Sequence, residues 1–202
     1  MNSSRLSKLS GALRHYRFID YATQGYVLGM GLLVLVLHND SVGFWPGLVA
    51  AHLLCVVLVH LLIRTHAARP PGRLLDILRH FYPVILYTAL YRETGTLNQM
   101  LFSGYLDAFF MSLEERVFGM QPAVQFMERL PYLPVSELFY ASYFSYYIMI
   151  VGIGAALYFR DKRQFFHYVS LASFSFYACF FIYILLPVIG PRVFFDSECA
   201  MK

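Results

Sequence analysis

The feature that most constrains this chain is the spacing of its charges. Residues 138–159 contain no charged side chain, and neither do residues 165–186. Between such runs the basic residues fall in short clusters: Arg5, Lys8, Arg14 and Arg17, then Arg64, Arg69, Arg73 and Arg79, then Arg160, Lys162 and Arg163. About 20 apolar residues are what an α-helix needs to cross the hydrocarbon of a bilayer. The composition agrees, with 58% apolar residues against 14% charged, too little charge for the surface of a soluble domain of 202 residues. The 19 Phe and 16 Tyr suit aromatic belts at the two membrane interfaces. The expectation is an all-α integral membrane protein forming a single membrane domain over residues 1–202.

The order of the runs predicts about five transmembrane helices, near residues 22–37, 44–63, 77–91, 138–159 and 165–187. An amphipathic helix lies in the plane of the interface near residues 97–120. The first span is Gly-rich, with Gly25, Gly29 and Gly31 permitting close helix packing. No small-residue cleavage site follows it, so it reads as a span that stays rather than a signal peptide. The stretch Phe81–Tyr91 is short and carries Pro83, so it reads as either a third crossing or a re-entrant piece. Charge asymmetry favours the crossing. With five spans and a cytoplasmic N-terminus, the three basic clusters are all inside, and they hold eleven of the sixteen Lys/Arg. Asp20, Asp76 and Asp161 are then the inside acidic residues, and the other nine lie outside. The expected localisation is the bacterial inner membrane. A formal net charge of +4 made of such clusters is the positive-inside pattern and points away from nucleic acid.

Residues able to carry chemistry are few. Arg192 follows Gly190-Pro191 at the outer end of the last span. A guanidinium there is either a fork for phosphate oxygens or a side chain snorkelling to lipid headgroups. His38, His52, His60 and His66 sit in or beside the first two spans, and only His52 is deep. It has no second ligand three or four residues on, so hydrogen-bonded helix packing is expected rather than a haem or metal site. His167 falls at the inner start of the last span, across the bilayer from Arg192. Tyr140, Ser142, Tyr143, Ser145, Tyr146 and Tyr147 give the fourth span a polar-tipped outer half, fit for a headgroup pocket, an interface belt or helix–helix hydrogen bonding. Of the outer carboxylates Glu93, Asp107, Glu114 and Glu115, Asp107 and Glu114 read as the wet face of the amphipathic helix, because Gln99, Ser103, Asp107 and Glu114 recur at spacings of four, four and seven. Cys55 and Cys179 lie in apolar runs and Cys199 in the tail, with no disulfide or metal-type spacing. No Gly-rich phosphate loop, HExxH or nucleophile elbow is present. The expectation is therefore no cofactor and no metal.

Leu-Leu-Pro-Val-Ile-Gly-Pro-Arg at 185–192 resembles the first motif of the type-2 phosphatidic-acid phosphatase superfamily, in the branch of inositol phosphorylceramide synthases and their bacterial relatives. Two upstream features agree. Tyr91-Arg92-Glu93-Thr94-Gly95 is similar to the segment after that branch's third span. Asp107, Glu115 and Phe118-Gly119-Met120-Gln121-Pro122 are similar to its interfacial helix. The resemblance covers residues 75–192. It implies phosphoester transfer at the outer face through a phosphohistidine, with a second histidine protonating the leaving group and water or an alcohol such as inositol accepting the phosphate. It gives Arg192 the phosphate-binding role, cationic stabilisation of the transferring oxygens. The ligand would be a lipid phosphate or phospholipid headgroup.

The family's Pro-Ser-x-His segment and its later Arg…His…Asp segment have no counterpart here, and none of the seven histidines occupies either role. The usual basic residue ahead of the arginine is missing too, since residues 180–189 hold no Lys or Arg. The expectation is thus the amino-terminal part of a lipid phosphatase or phosphotransferase, inactive alone and inclined to self-associate. The alternative is a non-catalytic multi-span membrane protein that binds lipid or a partner.

Overall fold

The computed structural model describes residues 15–68, 72–102 and 104–190. Among them are seven helices and no strand: α1 (Phe18–Leu37), α2 (Trp45–Ala68), α3 (Arg73–Leu97), α4 (Asp107–Phe118), α5 (Pro122–Arg129), α6 (Leu133–Arg160) and α7 (Lys162–Leu185). α1, α2, α6 and α7 are long and apolar enough to cross a membrane. The protein is an all-α membrane protein. α3 is not among those four. Its 25 residues reach about 37 Å, but Arg79 and the Arg92-Glu93 pair bracket the apolar run of residues 81–91. Pro83 stands inside α3 and is buried, leaving the Arg79 carbonyl without its helical donor.

The chain divides into two compact units, Met1–Leu101 with Phe166–Ile184, and Phe102–Phe165 with Leu185–Lys202. In the first, the core is built where the apolar stripes of four helices meet. Met30, Val34, Val42, Leu97, Met100 and Ile184 form one cluster, and Val27, Tyr87, Leu90, Tyr177 and Phe180 another. Several polar groups inside this unit are paired across helices, which offsets the cost of burying them. Thr23 and Tyr177 share a hydroxyl hydrogen bond of 2.8 Å, and Tyr87 and Ser173 one of 2.6 Å. The most heavily bonded group is Asp20, which is fully buried. Its carboxylate accepts both arms of the Arg79 guanidinium at 2.9 and 2.6 Å, the Tyr82 hydroxyl at 2.6 Å and the Arg17 amide at 2.7 Å. The Arg17 guanidinium lies 3.5 Å over the Phe166 ring.

Of the three glycines expected to permit close packing, only Gly31 does so. A Cβ there would lie 3.0 Å from the Cβ of His52 on α2, whereas Gly25 and Gly29 have nothing within 4 Å and face outward. Gly31→Val is therefore expected to push α1 from α2 and cost on the order of 2 kcal/mol. Gly29→Ala is expected to be tolerated. Paired thermal melts in detergent check the contrast, and equal melting points would remove the close approach from the account.

The second unit differs from the sequence expectation at its start. The amphipathic helix expected over residues 97–120 is shorter: α3 runs on to Leu97, a non-helical connection follows, and α4 begins at Asp107. The four-residue spacing of Gln99, Ser103 and Asp107 thus straddles a turn and marks no helix face. Gln99 belongs instead to a turn in the first unit, where its carbonyl accepts from Asn39 Nδ2 at 3.1 Å. α4 ends at Gly119, whose φ of 67° lies in the left-handed region that glycine closes helices with. Pro122 opens α5. α6 is 28 residues long with only Gly154 buried, and most of its aliphatic and aromatic side chains are exposed. Asp161 ends α6 and caps α7, its carboxylate accepting the amides of Arg163 (2.8 Å) and Gln164 (3.3 Å).

Candidate functional site

The second unit holds one constellation that joins two of the resemblance's motifs. Asp107 is the first residue of α4, yet it is buried, at 3% exposure. The wet-face reading of Asp107 is thereby corrected. Its carboxylate accepts the Gly190 amide at 2.8 Å through Oδ1 and the Ile189 amide at 3.1 Å through Oδ2. The preceding amide, Leu106 N–H, donates to the Pro187 carbonyl at 2.8 Å. Three hydrogen bonds therefore fasten the Pro-Val-Ile-Gly run to the start of α4. Burial of the carboxylate follows from this accounting, because each of its oxygens receives a backbone donor and the positive end of α4 lies beneath it.

Two consecutive amides converging on one anion is the arrangement by which backbone concavities hold negative charge. Here Asp107 supplies that charge. Gly190 has φ 88°, a conformation that costs other residues roughly 1–2 kcal/mol, while a Cβ at this position would meet nothing within 4 Å. Glycine is thus required by backbone conformation and not by crowding. Both amides are committed to Asp107. Arg192, two residues along the chain, lies outside the described residues, as do Arg5, Lys8, Arg14, Arg69 and Cys199. Of the other carboxylates on α4, Glu114 is half-buried and Glu115 exposed.

The remaining candidates separate into local pairs. His52 is buried in the first unit, and its Nδ1–H donates to the Leu48 carbonyl one turn earlier at 2.8 Å. Its Nε2 faces Glu93 Oε1 at 3.3 Å. The sequence grouped Glu93 with the outer carboxylates, and the structure sets it against a histidine 41 positions away. His38 stacks on Trp45 with ring centroids 3.9 Å apart, and His60 Nδ1 meets the Tyr16 hydroxyl at 2.6 Å. His167 is exposed.

The polar residues at 140–147 of α6 are exposed. Ser142 and Ser145 turn their hydroxyls back to the carbonyls of Leu138 and Ser142, both at 2.7 Å, and the Tyr143 and Tyr147 hydroxyls meet at 2.8 Å. Their exposure on one helix suits an interface belt. The fastening of residues 187–190 by Asp107 is the feature that sequence reasoning missed. Nothing in the sequence shows that one of these segments holds the other. No protein-family model, no curated protein and no solved structure matches this chain.

Proposed function

We propose that this protein recognises the phosphate of a lipid headgroup at the outer face of the membrane. It does so as a relative of the type-2 phosphatidic-acid phosphatases, in their inositol phosphorylceramide synthase-like branch. The observation that carries the reading is the pair of hydrogen bonds from Ile189 and Gly190 to Asp107. It joins two motifs of that resemblance across 83 residues, and holds the backbone that leads directly into Arg192.

A guanidinium on a fixed stem loses less entropy on engaging a phosphate than one on a free loop. The topology behind the reading has five crossings, α3 being the third, with the N-terminus cytoplasmic. That arrangement gathers eleven of the sixteen Lys/Arg on one side. None of the seven histidines stands in the family's catalytic motifs, so binding without turnover is expected of this chain.

The test is a titration of the detergent-solubilised protein with dioctanoyl phosphatidic acid and, in parallel, dioctanoylglycerol. The phosphate-bearing lipid is expected to bind more tightly. Arg192→Ala is expected to weaken it by about 10–100-fold, the worth of a hydrogen bond to a charged group. Equal affinity for the two lipids would favour the alternative, a non-catalytic binder of lipid or of a partner helix. An unchanged Arg192→Ala would remove the arginine from the reading.

A further inference from the structure

Where α2 ends and α3 begins, three ligating side chains converge. His66 stands in the last turn of α2, and Asp76 and His80 in the first two turns of α3. Asp76 and His80 are four residues apart, the helical spacing that sets two side chains on one face. His66 Nε2 lies 3.1 Å from Asp76 Oδ1, and His80 Nδ1 lies 3.4 Å from the same oxygen. All three ligating atoms fall within 4.8 Å of one another.

Those separations match what a metal ion asks for. Zinc binds imidazole nitrogen and carboxylate oxygen at about 2.0–2.2 Å. Two ligands at that radius stand about 2.9 Å apart at a right angle and about 3.4 Å apart at the tetrahedral angle. The two observed distances fall on such polyhedron edges. The 3.1 Å contact is also a hydrogen bond, and His80 Nδ1 donates to the Asp76 backbone carbonyl at 2.7 Å, a bond that an ion at this nitrogen would replace. The surroundings also suit an ion. His80 is buried and held against Phe166, with ring centroids 4.7 Å apart, whereas His66 and Asp76 are partly exposed. One side of the cluster is therefore fixed and the other opens to solvent, where water can complete the coordination.

We propose that His66, Asp76 and His80 form a site for a divalent transition metal of the zinc class. Two imidazoles and one carboxylate select against Mg²⁺ and Ca²⁺, which take oxygen ligands. To bind through Nδ1, His80 shifts its ring proton to Nε2, a change of tautomer that keeps the imidazole neutral. The ion ties the end of α2 to the start of α3. Its residues all belong to the first unit, and the assignment is independent of the phosphate reading.

The test uses the full chain in detergent, purified with a tag that contains no histidine and stripped with a chelator. Zn²⁺ is titrated by calorimetry, and Co²⁺ is read by its visible d–d absorption. The wild type is expected to bind one ion per chain and to give the bands of a nitrogen–oxygen site. His66→Gln and Asp76→Asn are each expected to weaken binding beyond the roughly 10–100-fold that loss of an outer-shell partner costs. His38→Gln, remote from the cluster, is expected to leave it unchanged. His66 is partly exposed, so its variant keeps the fold, and the wild-type stoichiometry requires no variant. Absence of the Co²⁺ bands in the wild type, or binding unchanged in His66→Gln or in Asp76→Asn, overturns the proposal.

Discussion

Replacing Arg79 by leucine is expected to destabilise the first unit by about 3–5 kcal/mol, the cost of removing one partner from a buried ion pair. The size of the effect follows from what remains. Asp20 is fully buried and gives its four bonds to Arg79, Tyr82 and Arg17. Without the guanidinium the carboxylate keeps the Tyr82 hydroxyl and the Arg17 amide, and loses the positive charge bonded to it, the Arg17 guanidinium acting on it without a hydrogen bond. Asp20→Leu is expected to be similarly harmful, since it strands the guanidinium instead. The double variant Asp20→Leu/Arg79→Leu is expected to recover most of the loss, because a buried pair exchanged for apolar residues of similar volume is often near neutral. Recovery stays incomplete, as Tyr82 and the Arg17 amide each lose an acceptor worth about 1 kcal/mol. Melting curves of the four proteins in one detergent check this. Additive losses in the double variant would mean that the two side chains act separately.

The second large effect is expected at Asp107. Asp107→Ala removes two hydrogen bonds to a charged acceptor, each worth about 1.5–3 kcal/mol, and leaves the Ile189 and Gly190 amides without it. The connection held is short, so the energy is lost from its local order more than from global stability. Deuterium exchange at residues 188–190 is expected to accelerate while exchange in the first unit stays unchanged. Affinity for short-chain phosphatidic acid is expected to fall by at least about tenfold, because the arginine's stem is no longer held. Unchanged exchange at Ile189 and Gly190 would mean that these hydrogen bonds do not hold the segment in solution.

The four long apolar helices were legible because a charge-free run of that length has few other folded outcomes in a membrane protein. Their ends were less so. α1 starts at Phe18 and α6 at Leu133, each four or more residues ahead of the apolar run, because a helix continues into the interface where polar side chains are tolerated. α4 was misjudged for a different reason. A spacing of four recurs by chance across a turn, and periodicity cannot tell a helix face from two elements in sequence. The buried pairs were hidden by distance along the chain. Asp20 and Arg79 are 59 residues apart, and each reads as an ordinary charge flanking a span. His52 and Glu93 are hidden in the same way, and so is the tie between Asp107 and Gly190. Motifs were readable one at a time, and their meeting was a property of the fold.

The central claim, phosphate recognition on the outer side of the membrane by the segment after α7, is most directly tested by sided labelling. Cys55, Cys179 and Cys199 are replaced by serine, and a cysteine is introduced at Val188, which is 44% exposed. A membrane-impermeant maleimide is then applied to intact cells and to inverted vesicles, with and without dioctanoyl phosphatidic acid. The account predicts labelling from outside the intact cell, slowed by phosphatidic acid and unaffected by dioctanoylglycerol. Labelling only in inverted vesicles, or labelling that phosphatidic acid does not slow, would contradict it.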